Sequence, residues 1–108
     1  MDNSQQAFHD YLQLEKNYSP HTVSNYCSDL ASFVKFLKLE FDHENLLAVN
    51  YSLIRSWIVS LVDAGISNIS VNRKISSLKS YYKFLLKTKQ IEVSPLLKYK
   101  ALKTPKKI

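Results

Sequence analysis

A single glycine, Gly65, has to serve every turn in this chain, and the three prolines, Pro20, Pro95 and Pro105, all sit where helices start or stop. No alternating apolar run bounded by hairpin turns is present, and no repeat or low-complexity segment. An all-α fold is therefore expected. At 108 residues the chain is one domain, long enough to bury roughly two-thirds of the surface that its unfolded form exposes. The opening "MDNSQQAFHD" lacks a basic n-region and an apolar h-region, and no apolar run is long enough to span a bilayer. A soluble, cytoplasmic protein with no membrane partner is the expectation. Cys27 is the only cysteine, and His9, His21 and His43 are scattered singly, so neither a disulfide, a metal site nor another cofactor is expected. Cys27 borders an apolar stripe and reads as a small buried filler rather than a nucleophile.

Apolar spacing predicts four main helices. The first covers about Ser4 to Asn17, with Phe8, Tyr11, Leu12 and Glu15 at helical spacing. The second runs from about Pro20 to Leu39, with Ser19 as its cap and Val23, Tyr26, Leu30, Phe33, Val34 and Leu37 inward. A connection then places Leu46, Leu47 and Val49 against the core. The third runs from about Ser52 to Asp63, burying Ile54, Trp57, Ile58 and Leu61, and Gly65 ends it in a left-handed conformation. The fourth, from about Asn68 to Lys87, buries Val71, Ile75, Leu78, Tyr82 and Leu85, with Tyr81 and Phe84 beside or across from that stripe. "QIEVSPLLKYK" supplies a short turn capped by Ser94, and "ALKTPKKI" reads as a basic linker or disordered end.

Charge is divided unevenly. Residues 1–54 hold three cations against seven acids, a net −4, whereas residues 55–108 hold twelve cations against Asp63 and Glu92, a net +10. A basic half of this kind attracts polyanions. The polar side of the fourth helix carries Arg73, Ser76, Ser80, Lys83 and Lys87, with Asn72 and Lys79 on one flank. The second helix sets His21, Ser24, Asn25, Ser28, Ser32 and Lys35 opposite its core stripe. Serine is a mediocre helix former, so such faces suggest close approach by a partner, although a simply solvated face has the same pattern. A DNA duplex suits them: small hydroxyls donate to phosphate, lysine and arginine neutralise it, and Asn25, Asn72 and Arg73 are able to read base edges. No triad order, paired carboxylates or glycine-rich phosphate loop is visible, so the residues make no case for catalysis or a small-molecule substrate.

"YLQLEKNYSPHTVSNYCSDLASFVKFL" resembles the opening of tyrosine recombinases of the Xer and phage-integrase type, with Glu15, Ser19, Thr22, Tyr26, Asp29 and Leu30 in the family's places. "GISNISVNRKISSLKSYYKFLLKTKQIEVSPLLKYKALKTPKK" is similar to a second family block through Gly65, Ser70, Arg73, Ser76, Leu78, Lys79, Tyr81, Tyr82 and Pro95. The resemblance implies a SAM-like core-binding domain, a compact four- to five-helix bundle over residues 1–100, with 101–108 beginning a linker to a catalytic domain that the chain lacks. It also implies double-stranded DNA as partner, neighbouring recombinase protomers on that DNA, and contacts from His21, Thr22, Asn25, Ser28, Ser70, Arg73, Lys74, Ser76, Lys79, Ser80 and Lys83. Cys27 and Ser28 stand where relatives often carry basic residues, and Lys79 replaces a common arginine, which suggests phosphate-type rather than bidentate contacts. The family's chemistry needs two arginines, a His-x-x-Arg motif and a nucleophilic tyrosine. Only Arg55 and Arg73 are present and no histidine begins that motif, so the chain is expected to be non-catalytic by itself, an excised or truncated part of a recombinase. Arg73 and Lys83 are expected to matter more for binding than Lys16 or Lys38. A helical protein-interaction module without nucleic-acid binding is the alternative, and a stand-alone repressor a third reading.

Overall fold

A computed structural model describes residues 3–104 as four α-helices joined by short connections, with no strand among the described residues. Helix α1 (Asn3–Asp10) runs on into a π-helical turn (Tyr11–Glu15), in which the Lys16 N–H reaches back five residues to the Tyr11 carbonyl at 3.1 Å. The single long helix expected over Ser4 to Asn17 is therefore widened halfway. Asn17 then closes it at φ 53°, a left-handed conformation that asparagine tolerates.

Helix α2 (Pro20–Phe41) starts as its sequence signals require. The Ser19 hydroxyl accepts from the Thr22 N–H at 3.2 Å, and Pro20 occupies a first-turn position whose N–H has no helical partner. It runs two residues past Leu39 and stops on Asp42, at φ 50°. A 3-10 turn (Leu46–Ala48), capped by Asn45, follows. Leu46 is buried and Val49 packs on the core, but Leu47 faces outward, contrary to the expectation that all three pack inward. In a 3-10 turn residues three apart share a face, so Leu46 and Val49 align and Leu47 cannot join them.

Helix α3 (Tyr51–Asp63), capped by the Asn50 side chain, ends at Gly65, whose φ of 87° is one that residues with a Cβ rarely adopt. Helix α4 (Asn68–Lys87) has the bounds its periodicity predicts, with Ser67 accepting from the Ser70 N–H. Its stripe of Val71, Ile75, Leu78, Tyr82 and Leu85 is buried among Val23, Leu30, Phe33, Leu37, Ile54 and Trp57.

A second side of α4 is buried too. Tyr81 and Phe84 are packed against α1 and its π turn, with Phe8 to Tyr81 ring centres 5.3 Å apart, Phe8 to Phe84 5.8 Å and Tyr11 to Phe84 4.9 Å. Ser4 hydrogen-bonds the Tyr81 hydroxyl, and the Tyr82 hydroxyl donates to the Leu46 carbonyl at 2.9 Å. Helix α4 is thus the central rod of the bundle, and only one arc of it is left for contact with anything else. After it, a turn capped by Ser94 buries Leu96, and the chain returns along α4, with Tyr99 and Leu102 packed on the core. Leu102 and Lys103, in the stretch expected to begin a linker, are hydrogen-bonded to α4 there, and residues 105–108 of that stretch lie outside the described residues. No helix among the described residues is long and apolar enough to cross a membrane.

Candidate nucleic-acid interface

The seam between α2 and α4 is fixed by one polar cluster. Asp29, buried on α2, accepts from the Ser77 hydroxyl at 2.7 Å and faces the Lys74 ammonium at 3.4 Å, both on α4. Burying a carboxylate is tolerable only with such partners. Asn25 and Thr22 lie one and two turns before Asp29 on the same flank of α2, and Ser70 lies one turn before Lys74 on α4. The Ser19 hydroxyl donates to Thr22 Oγ1 at 3.0 Å, and the Ser67 hydroxyl to Ser70 Oγ at 3.1 Å, so both helix starts carry the same serine-capped arrangement. His21 is exposed, its Nε2 3.4 Å from Asn25 Nδ2.

The exposed arc of α4 carries Arg73, Ser76, Lys83 and Lys87, with half-buried Ser80 among them. None of these cations has a carboxylate within ion-pairing distance among the described residues; Lys74 pairs with Asp29 and Lys38 with Glu44 instead. The Ser76 hydroxyl donates to the Asn72 carbonyl one turn back, at 3.0 Å.

Three candidate residues stand apart from this arc. Ser28 faces away from α4: with Ser24, Cys27 and Ala31 it lines a groove of about 460 Å3 shared with His9 and Gln13. Cys27 is half-buried in that groove, and burial pushes its thiol pKa up. Asn72, read from sequence as able to contact base edges, has its amide committed elsewhere. Its Oδ1 accepts from the Tyr99 hydroxyl at 2.6 Å and the Leu102 N–H at 2.9 Å, while its Nδ2 donates to the Leu102 carbonyl at 2.9 Å. Lys79 has its ammonium 5.1 Å from the centre of the Tyr99 ring, a cation–π distance.

One residue that sequence reasoning set aside belongs with the arc. Lys16, Tyr18, Ser80 and Lys83 line a common recess of about 110 Å3, and Lys16 and Lys87 both approach the Tyr11 ring, at 6.0 and 5.1 Å. No local signal places Lys16 there, because only the packing of the π turn on α4 brings them together. Lys16 therefore lies against the α4 arc, although its sequence position is in the acidic half.

Residues 6–89 match the family model described as phage integrase, N-terminal SAM-like domain. The chain is 40% identical over 102 residues to tyrosine recombinase XerC of Oceanobacillus iheyensis, covering 94% of this chain and 33% of that protein. It is 37% identical over 91 residues to the XerC of Halalkalibacterium halodurans, covering 84% and 30%. Against the XerC of Bacillus pumilus the identity is 32% over 111 residues, covering 100% and 36%. The chain thus spans about a third of the length of the curated relatives it matches. No solved structure gives a significant match.

Proposed function

Since the chain belongs to the family of phage-integrase N-terminal SAM-like domains, we propose that it binds duplex DNA for a site-specific tyrosine recombinase. The observation that carries this reading is the arc of α4, where Arg73, Lys83 and Lys87 stand without carboxylate partners among the described residues, beside short hydroxyl side chains. Unpaired cations on a rigid helix neutralise phosphate at little conformational cost, and serine hydroxyls donate to phosphate oxygens without holding the helix away. Thr22, Asn25 and Ser70 extend this surface across the α2 to α4 seam, and the Asp29, Lys74 and Ser77 cluster keeps the two helices in register. Lys16 adds a cation at the other end, next to Lys83. Asn25 is the side chain best suited to a base edge, and Arg73 to phosphate. Strand cleavage and the tyrosyl link to DNA belong to the part of the recombinase represented by the remaining length of the relatives, and neighbouring protomers assemble on the same duplex.

Fluorescence anisotropy with a labelled duplex across a salt series tests the proposal. With about six phosphates contacted, log K falls against log[salt] with a slope of roughly −5. Arg73→Ala and Lys83→Ala weaken binding, while Lys38→Ala, whose ammonium pairs with Glu44 at 3.5 Å, leaves it unchanged. Absence of binding at 50 mM salt, or equal losses at all three positions, defeats the reading. A protein-interaction role is supported by the groove between α1 and α2 and by exposed Leu39 and Phe41. Salt-insensitive self-association without duplex affinity in sedimentation runs marks that outcome.

A further inference from the structure

The most specific set of polar contacts outside the bundle's seam is made by two asparagines one turn apart on α4. Asn72 engages both the N–H and the C=O of Leu102, at 2.9 Å each, and Asn68 Nδ2 donates to the Lys103 carbonyl at 2.9 Å. Groups that satisfy main-chain atoms in this paired way recognise an extended backbone, much as a neighbouring strand does. Tyr99 and Leu102 of this segment pack on the core, and with Tyr51, Ile58 and Val62 of α3 they line a common recess. The segment carries Lys98, Lys100 and Lys103, all exposed, and no carboxylate, and it lies beside the α4 flank that holds Lys79. Beyond the Lys79 contact with the Tyr99 ring and the Asp63 carboxylate that lines the same recess as Lys100, a segment with so many like charges is repelled by the basic helix beside it in the free protein. Ordering its residues also offsets much of what its hydrogen bonds return. A polyanion shared by helix and segment reverses the sign of that repulsion.

We infer that Asn72, aided by Asn68, is a positioning residue that clamps segment 98–103 onto α4 so that its lysines form the outer edge of the duplex-contacting surface. This rests on the duplex reading above and reassigns Asn72 from base reading to holding the chain. DNA binding and closure of the segment then reinforce each other, and removal of an uncharged side chain weakens an electrostatic interaction.

A mutant cycle with Asn72→Ala and Lys103→Ala tests this, read by duplex anisotropy over a salt series, with hydrogen exchange of the Leu102 amide as a second readout and a thermal melt to verify folding. Asn72→Ala is expected to lower duplex affinity about fivefold and to flatten the salt slope by about 0.9, the value of one phosphate contact, although no charge is lost. Lys103→Ala is expected to cost at least threefold less in the Asn72→Ala background than in the unaltered chain. The Leu102 amide should be protected in the unaltered chain, more so with duplex bound, and unprotected in Asn72→Ala. Equal Lys103→Ala losses in both backgrounds overturn the inference. So does a change in sequence preference with an unaltered salt slope, which returns Asn72 to base reading. If the unaltered chain binds no duplex while its Leu102 amide is protected, it is the functional reading that fails, and the proposed role of the segment with it.

Discussion

Replacing Asp29 by alanine tests whether the α2 to α4 seam depends on its buried charge. The Asp29 side chain is 8% exposed and that of Lys74 21% exposed, while Ser77 is 1% exposed. Removing the carboxylate deprives the Ser77 hydroxyl of a 2.7 Å charge-assisted acceptor, a loss of about 1.5–3 kcal/mol. Part of that returns as the hydroxyl turns to a carbonyl one helical turn back, as serines in helices do. The stranded Lys74 ammonium reaches water, so its share is discounted to below about 1 kcal/mol. The expected net cost is about 2–3 kcal/mol, read as a fall in the urea midpoint with the slope unchanged. Asp29→Asn, which keeps an acceptor for Ser77, should cost roughly half as much. The double variant Asp29→Ala/Ser77→Ala should cost about 1 kcal/mol less than the sum of the singles, because the orphaned hydroxyl is gone. Strict additivity, or an Asp29→Ala cost below about 0.5 kcal/mol, refutes the argument that the carboxylate is desolvated and shared.

Lys16→Ala should reduce duplex affinity about as much as Lys83→Ala, roughly three- to fivefold, and flatten the salt slope by about 0.9; anisotropy beside Lys38→Ala checks this. Ser67→Ala removes the acceptor for the Ser70 N–H at the start of α4 and should cost about 1 kcal/mol in thermal or urea unfolding. Burial, with a smaller contribution from neighbouring Tyr81, holds the Tyr82 hydroxyl far above the ordinary tyrosine value of 10.0. The unfolded phenol ionises first as pH rises, so the stability linked to this group is intact below about pH 10 and falls above it. Tyr82→Phe should therefore flatten the alkaline limb of a stability profile measured from pH 8 to 11, while costing about 1 kcal/mol at neutral pH through the lost bond to Leu46.

The helices of this bundle were legible where a single rule governs them. Asn68–Lys87 is bounded by a serine cap and a lysine-rich end, and its five-residue stripe is buried throughout. Tyr81 and Phe84 were harder to place because α4 packs on two sides, and a second buried side blurs a one-stripe pattern. The π turn at Tyr11–Glu15, where Tyr11 meets Phe84, is invisible to periodicity, since one extra residue in a single turn leaves the apolar spacing helical. The same holds for the candidate site. The serines and cations of the α4 arc follow from the helical wheel, whereas the place of Lys16 depends on a tertiary contact. Asn72 looked free because its partners lie about thirty residues away in a stretch with no apolar period.

Helices α3 and α4 close with the same backbone motif, in which an N–H reaches back five residues: Ile66 to Leu61 in one, Gln90 to Leu85 in the other. The left-handed residue is Gly65 in the first and Lys89, at φ 59°, in the second. A lysine in that conformation costs about 1 kcal/mol that a glycine does not. The two ends therefore breathe differently. Opening should begin at the end of α4 and run into the basic path beyond it, while the α3 end stays shut. The segment that carries lysines to the edge of the bundle thus follows its loosest joint, and buried Leu96 and the Asn72 contacts are what hold it in place beyond that joint.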